Sequence, residues 1–196
     1  MARRIYHTEG LIINSRDQGE ANRLLFVFTE DLGLIVVKAR SAREMRSKLR
    51  LHLYDWTPLQ FSVVKGRDGW HLTGAIAHKD EPPAPGVRVV LARFARLISR
   101  LLPEGSPQAE IYKLVRAGVN FLKQANQSEF KKEKLEGAEV LLVLRFLSSL
   151  GYLPRLASLP SSIWLPDWRE EYVGEIQKKQ SEAIAVINEA IAASQL

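Results

Sequence analysis

An α+β protein in two parts, an N-terminal five-stranded barrel of the OB type followed by a C-terminal all-helical bundle, is the fold this sequence predicts. Three observations carry it. Up to His78 the apolar residues fall in short β-branched and aromatic runs separated by polar turns. Pro82, Pro83 and Pro85 then interrupt the pattern, because proline removes a backbone donor and fixes φ. Beyond them apolar residues recur at three- and four-residue spacing, the helical period. The expected parts are residues 1–80, a Pro-rich linker 81–86, and a helical domain 87–196.

In the first part, Thr8 to Asn14 holds the run Gly-Leu-Ile-Ile, Leu24 to Thr29 reads Leu-Leu-Phe-Val-Phe-Thr, and Leu34 to Ala39 reads Leu-Ile-Val-Val-Lys-Ala. Side chains branched at Cβ, or carrying a ring, suit a pleated, half-buried surface. Arg16 to Glu20 and Glu30 to Gly33 read as the intervening turns. Thr57 to Lys65 alternates Leu59, Phe61 and Val63 against Gln60, Ser62 and Val64; Gly66 to Gly69 is a tight turn; Trp70 to His78 alternates again through Trp70, Leu72, Gly74 and Ile76. Five short antiparallel strands protect their edges by closing on themselves. The OB barrel does this, and an SH3-like barrel fits the spacing nearly as well.

In the second part, Val87 to Leu102 places Val90, Phe94, Leu97 and Leu101 on one side and Arg93, Arg96 and Arg100 on the other. Ser106 as N-cap and Pro107 at the first helical position open the next helix, with Ile111, Val115, Val119 and Leu122 as its buried stripe. Glu133 to Leu150 is apolar nearly all round, as the central helix of a bundle is, and Gly151 follows its last turn. Pro154, Pro160 and Pro166 mark an irregular connection containing Trp164 and Trp168. A last helix, Glu170 to Ala193, carries Ile184, Ile187 and Ile191 at core spacing.

A hydrophobic fraction of 46% is that of a globular chain. Cysteine is absent, which excludes disulfides, thiolate metal sites and a Cys nucleophile. The start, Met-Ala-Arg-Arg-Ile-Tyr, lacks the apolar centre of a signal peptide, and the most apolar run, Val140 to Leu144, is far too short to span a bilayer. A soluble cytoplasmic protein with no membrane partner is therefore expected. The net charge of +6 permits an acidic partner such as nucleic acid, although solubility alone uses charge of this size.

The asymmetry is local. Residues up to Glu81 hold 13 basic and 10 acidic residues, those after it 15 and 12, so each half carries +3. Lys38, Arg40, Arg43, Arg46, Lys48 and Arg50, by contrast, face only Glu44 between positions 38 and 50. This basic loop lies between the third and fourth strands. Mobile cations anchored on a small β-domain can hold a polyanion; a solvated loop without a partner is the plainer reading.

No phosphate-cradling loop of the form G-x-x-x-x-G-K-[ST] or G-x-G-x-x-G occurs, which argues against ATP-driven or dinucleotide chemistry. His7, His52, His71 and His78 lack metal-ligand spacing, so neither metal nor cofactor is expected. Asp17, Glu20, Glu30 and Asp31 sit at turns for local reasons, and no catalytic residue is indicated. Tyr54, Trp56, Phe61 and Trp70 could stack on unpaired bases, but filling the barrel core is their default role. The face Arg93, Arg96, Arg100 has no acids of its own and could dock an acidic peptide or DNA; a solvated helix face is again the default.

Taken in order, these residues resemble the RecO recombination mediators of bacteria. The resemblance rests on Thr8-Glu9-Gly10-Leu11-Ile12-Ile13, then Arg16-Asp17-x-Gly19-Glu20-Ala21-Asn22-Arg23-Leu24-Leu25, and Phe28-Thr29-Glu30-x-x-Gly33-Leu34-Ile35. Lys38-Ala39-Arg40-Ser41 and Arg46-Ser47-Lys48-Leu49-Arg50 continue it, and Leu144-Arg145-Phe146-Leu147-x-x-Leu150-Gly151-Tyr152-x-Pro154 resembles the family's central helix and its end. The resemblance implies an N-terminal OB-fold, a helical C-terminal domain, and a non-enzymatic role in recombinational repair. That role comprises binding single- and double-stranded DNA, annealing complementary strands, and helping RecA replace single-stranded DNA-binding protein. RecR and the acidic tail of single-stranded DNA-binding protein are the implied partners, and the location is cytoplasmic, at the nucleoid. Many relatives carry a four-Cys zinc site after the Gly-Tyr-x-Pro stretch; Arg155 to Pro160 here has no Cys, so a zinc-less, shortened member is expected.

The DNA-binding residues expected are Lys38, Arg40, Arg43, Arg46, Lys48 and Arg50, with Arg16 and Arg23 nearby. Arg93, Arg96 and Arg100 are the candidates for receiving the acidic tail. An RNA-binding OB protein, or a protein-interaction adaptor with a merely solvated loop, is the alternative.

Overall fold

The computed structural model describes residues 4–47, 53–77, 81–125 and 132–194. Five strands, β1 (Ile5–Gln18), β2 (Asn22–Thr29), β3 (Gly33–Ala39), β4 (Pro58–Gly66) and β5 (Gly69–Ala77), form a closed barrel in the order β1-β2-β3-β5-β4. That order is the OB arrangement. β1 is long because it serves two partners, β4 along Ile5–Leu11 and β2 along Gly10–Gln18. Arg16 and Asp17 therefore belong to the strand and not to the turn expected there. Closure comes from a parallel seam between β3 and β5 of two residue pairs, Val37 with Trp70 and Lys38 with His71. The other seams have seven or eight pairs among the described residues.

Alternation decides what enters the barrel. Leu25 and Val27, Ile35 and Val37, and Leu59, Phe61 and Val63 are buried in one cluster, with Tyr6, Trp70 and Leu72 packed against it. In β5 the phase changes at Thr73, the extra residue where Ser62 pairs with Gly74 and Val63 with Leu72. Ala75 consequently points to the core and Ile76, expected inside, is 73% exposed.

After the barrel come α1 (Pro85–Leu101), α2 (Ala109–Ala125), α3 (Lys132–Ser149), a 3-10 turn (Ser161–Trp164), α4 (Glu170–Lys178) and α5 (Gln180–Ala193). α1 begins two residues before the expected Val87: Pro85 fits a first helical turn, and the Arg88 N–H donates to the Ala84 carbonyl. α2 begins two residues late. Glu104 instead bridges to Leu34 of β3, the Gly105 N–H donates to the Leu34 carbonyl, and Ser106 lies against Gly33, where any Cβ would stand 2.1 Å from the Ser106 carbonyl oxygen. The expected α2 stripe of Ile111, Val115, Val119 and Leu122 is buried throughout.

α3 ends as expected. Gly151 has φ +81°, its N–H donates to Ser148 and that of Tyr152 to Leu147, which closes a Schellman cap. The single last helix expected is two, broken at Lys179 (φ −122°, ψ 23°). With the break, Ala183 and Ala190 are the buried residues of α5, and Ile184 is 41% exposed.

Compactness divides the chain into two units, residues 1–83 with 91–112, and residues 84–90 with 113–196. In the first unit Phe94 packs on Trp56 and Tyr112 on Phe28, and the Tyr112 hydroxyl donates to Glu9. In the second, α3 packs against α4, α5 and the 3-10 turn.

Candidate nucleic-acid interface

The strand register gathers the expected cations. Arg16 on β1 faces Leu24 on β2, and Leu24 faces Lys38 on β3, so the three lie in one row across the outside of the barrel. Arg40 and the following turns leave from the end of this row. They are not loose. Ala42 is buried in the barrel core, the Ser41 N–H donates to Asn22 Oδ1, and the Arg43 N–H donates to the Ala21 carbonyl. The Arg43 guanidinium donates to the Gly19 carbonyl at 2.9 Å and pairs with Asp17 at 3.3 Å. The first half of the basic loop is thus fastened to the β1–β2 turn, where the charge pattern predicts mobile cations. Arg40, Arg46 and Met45 are exposed, Met45 by 91%. Lys48 and Arg50 lie outside the described residues.

The remaining cations differ in employment. Arg16 lies over the Phe26 ring, 4.9 Å from its centroid, on the outer face of the sheet. Arg23 donates to the Leu53 carbonyl and so holds the segment returning to β4. Beside it Asp55 accepts from the Ser15 hydroxyl; burial pushes its carboxyl up, while Ser15 and the Arg23 charge pull it back. Lys38 pairs with Asp68 at 2.9 Å, and Lys38 together with His71 holds the Asp68 carboxyl well below the usual range. Exposed pairs of this kind are worth little to stability and yield readily to a competing anion.

Among the aromatics, Trp56 and Phe61 are core residues, 3% and 1% exposed, and cannot stack on bases. Trp70 is half-buried, edge-on to Tyr6, with Lys65 over its ring. Phe26 is a site residue that the motifs do not announce. Its signal is the alternation Leu24, Phe26 against Leu25, Val27, which turns it outward beside Arg16. Arg93, Arg96 and Arg100 are exposed on α1, and Arg93 and Arg100 take part in interactions of their own. Among the described residues no group of three or more His, Cys, Asp or Glu could hold a metal ion, and no helix is long and apolar enough to cross a membrane.

Residues 1–75 match the family described as Recombination protein O N terminal. The chain is 31% identical over 155 residues to a DNA repair protein RecO of Syntrophobacter fumaroxidans, covering 76% of this chain and 58% of that one. It is 29% identical over 157 residues to the protein of the same description from Heliobacterium modesticaldum, covering 79% and 54%. A third, from Thermodesulfovibrio yellowstonii, is 27% identical over 153 residues, covering 76% and 58%. The chain spans a little over half the length of these curated relatives.

Proposed function

We propose that this chain, whose residues 1–75 match the RecO N-terminal family, is a DNA-binding protein of recombinational repair that works by binding alone, without catalysis. It holds single- and double-stranded DNA, anneals complementary strands, and assists RecA loading in the cytoplasm at the nucleoid. The observation that carries the reading is that strand register sets Arg16 and Lys38 in one row while the fastening of the basic segment to the β1–β2 turn holds Arg40 and Arg43 at its end. Phosphates neutralised there release counterions, and two backbones held against one basic edge repel each other less, so pairing proceeds without ATP. The Arg16 guanidinium lying over Phe26 offers a stacking surface to an unpaired base, an interaction indifferent to sequence. Lys48 and Arg50, outside the described residues, add their charge as further phosphate ligands, and Arg23 holds the return segment. RecR and the acidic tail of single-stranded DNA-binding protein are the proposed protein partners, the tail meeting Arg96 and its neighbours Arg93 and Arg100.

The test is single-stranded DNA binding across a salt series, for the native chain and for the variant with Arg40, Arg46, Lys48 and Arg50 changed to Ala. Weaker binding is expected in the variant, with a log–log salt slope shallower by about 0.7 for each phosphate it no longer neutralises. Equal affinity and equal slope would remove the loop from the site.

A further inference from the structure

Asp68, on the turn between β4 and β5, accepts from two donors on two other elements of the barrel wall. Its Oδ2 lies 2.9 Å from Lys38 Nζ of β3, and its Oδ1 lies 2.7 Å from His71 Nε2 of β5. Lys38 and His71 are register partners across the parallel seam, so the backbone sets the two residues side by side whether or not the carboxylate is there. An ionised carboxylate only accepts, hence the His71 nitrogen facing it carries a proton. The ring is 11% exposed and lies against Gly66, where a Cβ would come within 3.1 Å of both Cδ2 and Nε2. The donor therefore stays aimed at the same point whether or not Asp68 is there. Asp68 itself is 57% exposed and can turn out into water.

We infer that Lys38 and His71 form a phosphodiester subsite whose occupant in the free protein is the Asp68 carboxylate, an internal competitor that a nucleic-acid phosphate displaces. The inference rests on the DNA-binding reading above and adds to it a second phosphate ligand, His71, and a built-in limit on affinity. Two non-bridging oxygens of one phosphate can replace the two carboxylate oxygens. A phosphodiester suits the place better than an acidic peptide because the same row continues through Leu24 to Arg16, whose guanidinium on Phe26 offers a face for the attached base.

The experiment measures binding of fluorescein-labelled oligo-dT, and separately of an Asp-rich peptide, to the native chain, Asp68→Asn, Lys38→Ala and the double variant, together with the His71 Nε2 nitrogen-15 signal of the native chain as oligo-dT is added. Asp68→Asn is expected to bind oligo-dT about fivefold more tightly at low salt, with a gain that disappears when Lys38 is Ala. The His71 signal is expected to shift on binding, and this readout does not depend on any variant folding. A native chain that binds oligo-dT while Asp68→Asn binds no tighter, a gain that survives Lys38→Ala, or an unmoved His71 signal would each overturn the subsite and leave the DNA-binding reading standing. A gain seen for the peptide and not for oligo-dT would overturn it in favour of an acidic protein partner. Failure of both the native chain and Asp68→Asn to bind oligo-dT would overturn the DNA-binding reading and the subsite together.

Discussion

Asp55 shows how one residue couples the barrel to pH. It stands on the segment that returns from the basic loop to β4, bonded to Ser15 and near Arg23. Burial raises its carboxyl above the value it has in the unfolded chain, so as pH falls the folded form takes up the proton first. Stability from this group is therefore least above the raised value and grows as pH falls through it toward the unfolded value. Asp55→Asn, which keeps an acceptor for Ser15 and removes the charge, is expected to raise the urea midpoint at neutral pH, with a smaller gain in the acid range. A midpoint gain that grows on acidification would contradict the sign. At this scale the cations were legible in the sequence, and their partners were not. Asp68 is 30 residues from Lys38 and Asp17 is 26 from Arg43; only the seam and the β1–β2 turn bring them together.

Arg145 belongs to the scale of elements, because it joins α3 to the irregular segment that follows it. The sequence shows it merely closing an apolar run, yet it is 3% exposed. It donates to the carbonyls of Asp167 and Ser162, both at 2.7 Å, and its guanidinium lies 4.5 Å from the Trp168 ring centroid. Burial lowers its pKa, but an arginine stays charged, so the nearby Asp167 charge, the two carbonyls and the ring together make its burial tolerable. Arg145→Met keeps the length and strands both acceptors, and is expected to cost about 2–4 kcal/mol in urea unfolding. A loss below about 1 kcal/mol would mean that the segment is held by its apolar residues. Proline placement announced this segment; its fastening by a charge could not be read, because helix periodicity treats a lone Arg in an apolar run as a boundary. The same limit explains β5 and α5. One extra residue at Thr73 and one break at Lys179 each rephase the pattern downstream, so Ile76 and Ile184 come out where regular spacing puts them in.

For the whole molecule, the change from strand to helix near the prolines was legible, and so was the closed five-stranded barrel. Which helical residues complete the barrel's compact unit was not, since nothing local distinguishes Phe94 or Tyr112 from other apolar helix positions. In that unit they cover Trp56 and Phe28. A fragment of residues 1–80 leaves those two rings without their neighbours, whereas 1–112 retains them. The shorter fragment is expected to be less stable by about 3–6 kcal/mol, the worth of burying two large side chains, as thermal unfolding and dye binding to exposed apolar surface would register. Equal melting of the two fragments would show that residues 81–112 add nothing to the barrel.

The barrel is joined along four generous seams and one of two pairs, between β3 and β5. A cylinder so built is expected to open first at its shortest join, which amide exchange faster there than at the other seams would show. Lys38 and His71 stand on opposite lips of that join. The Asp68 carboxylate gripped by both is a stitch across it. Opening the join and letting go of that carboxylate are then one event, so Asp68 guards the closure of the barrel while it occupies the pair.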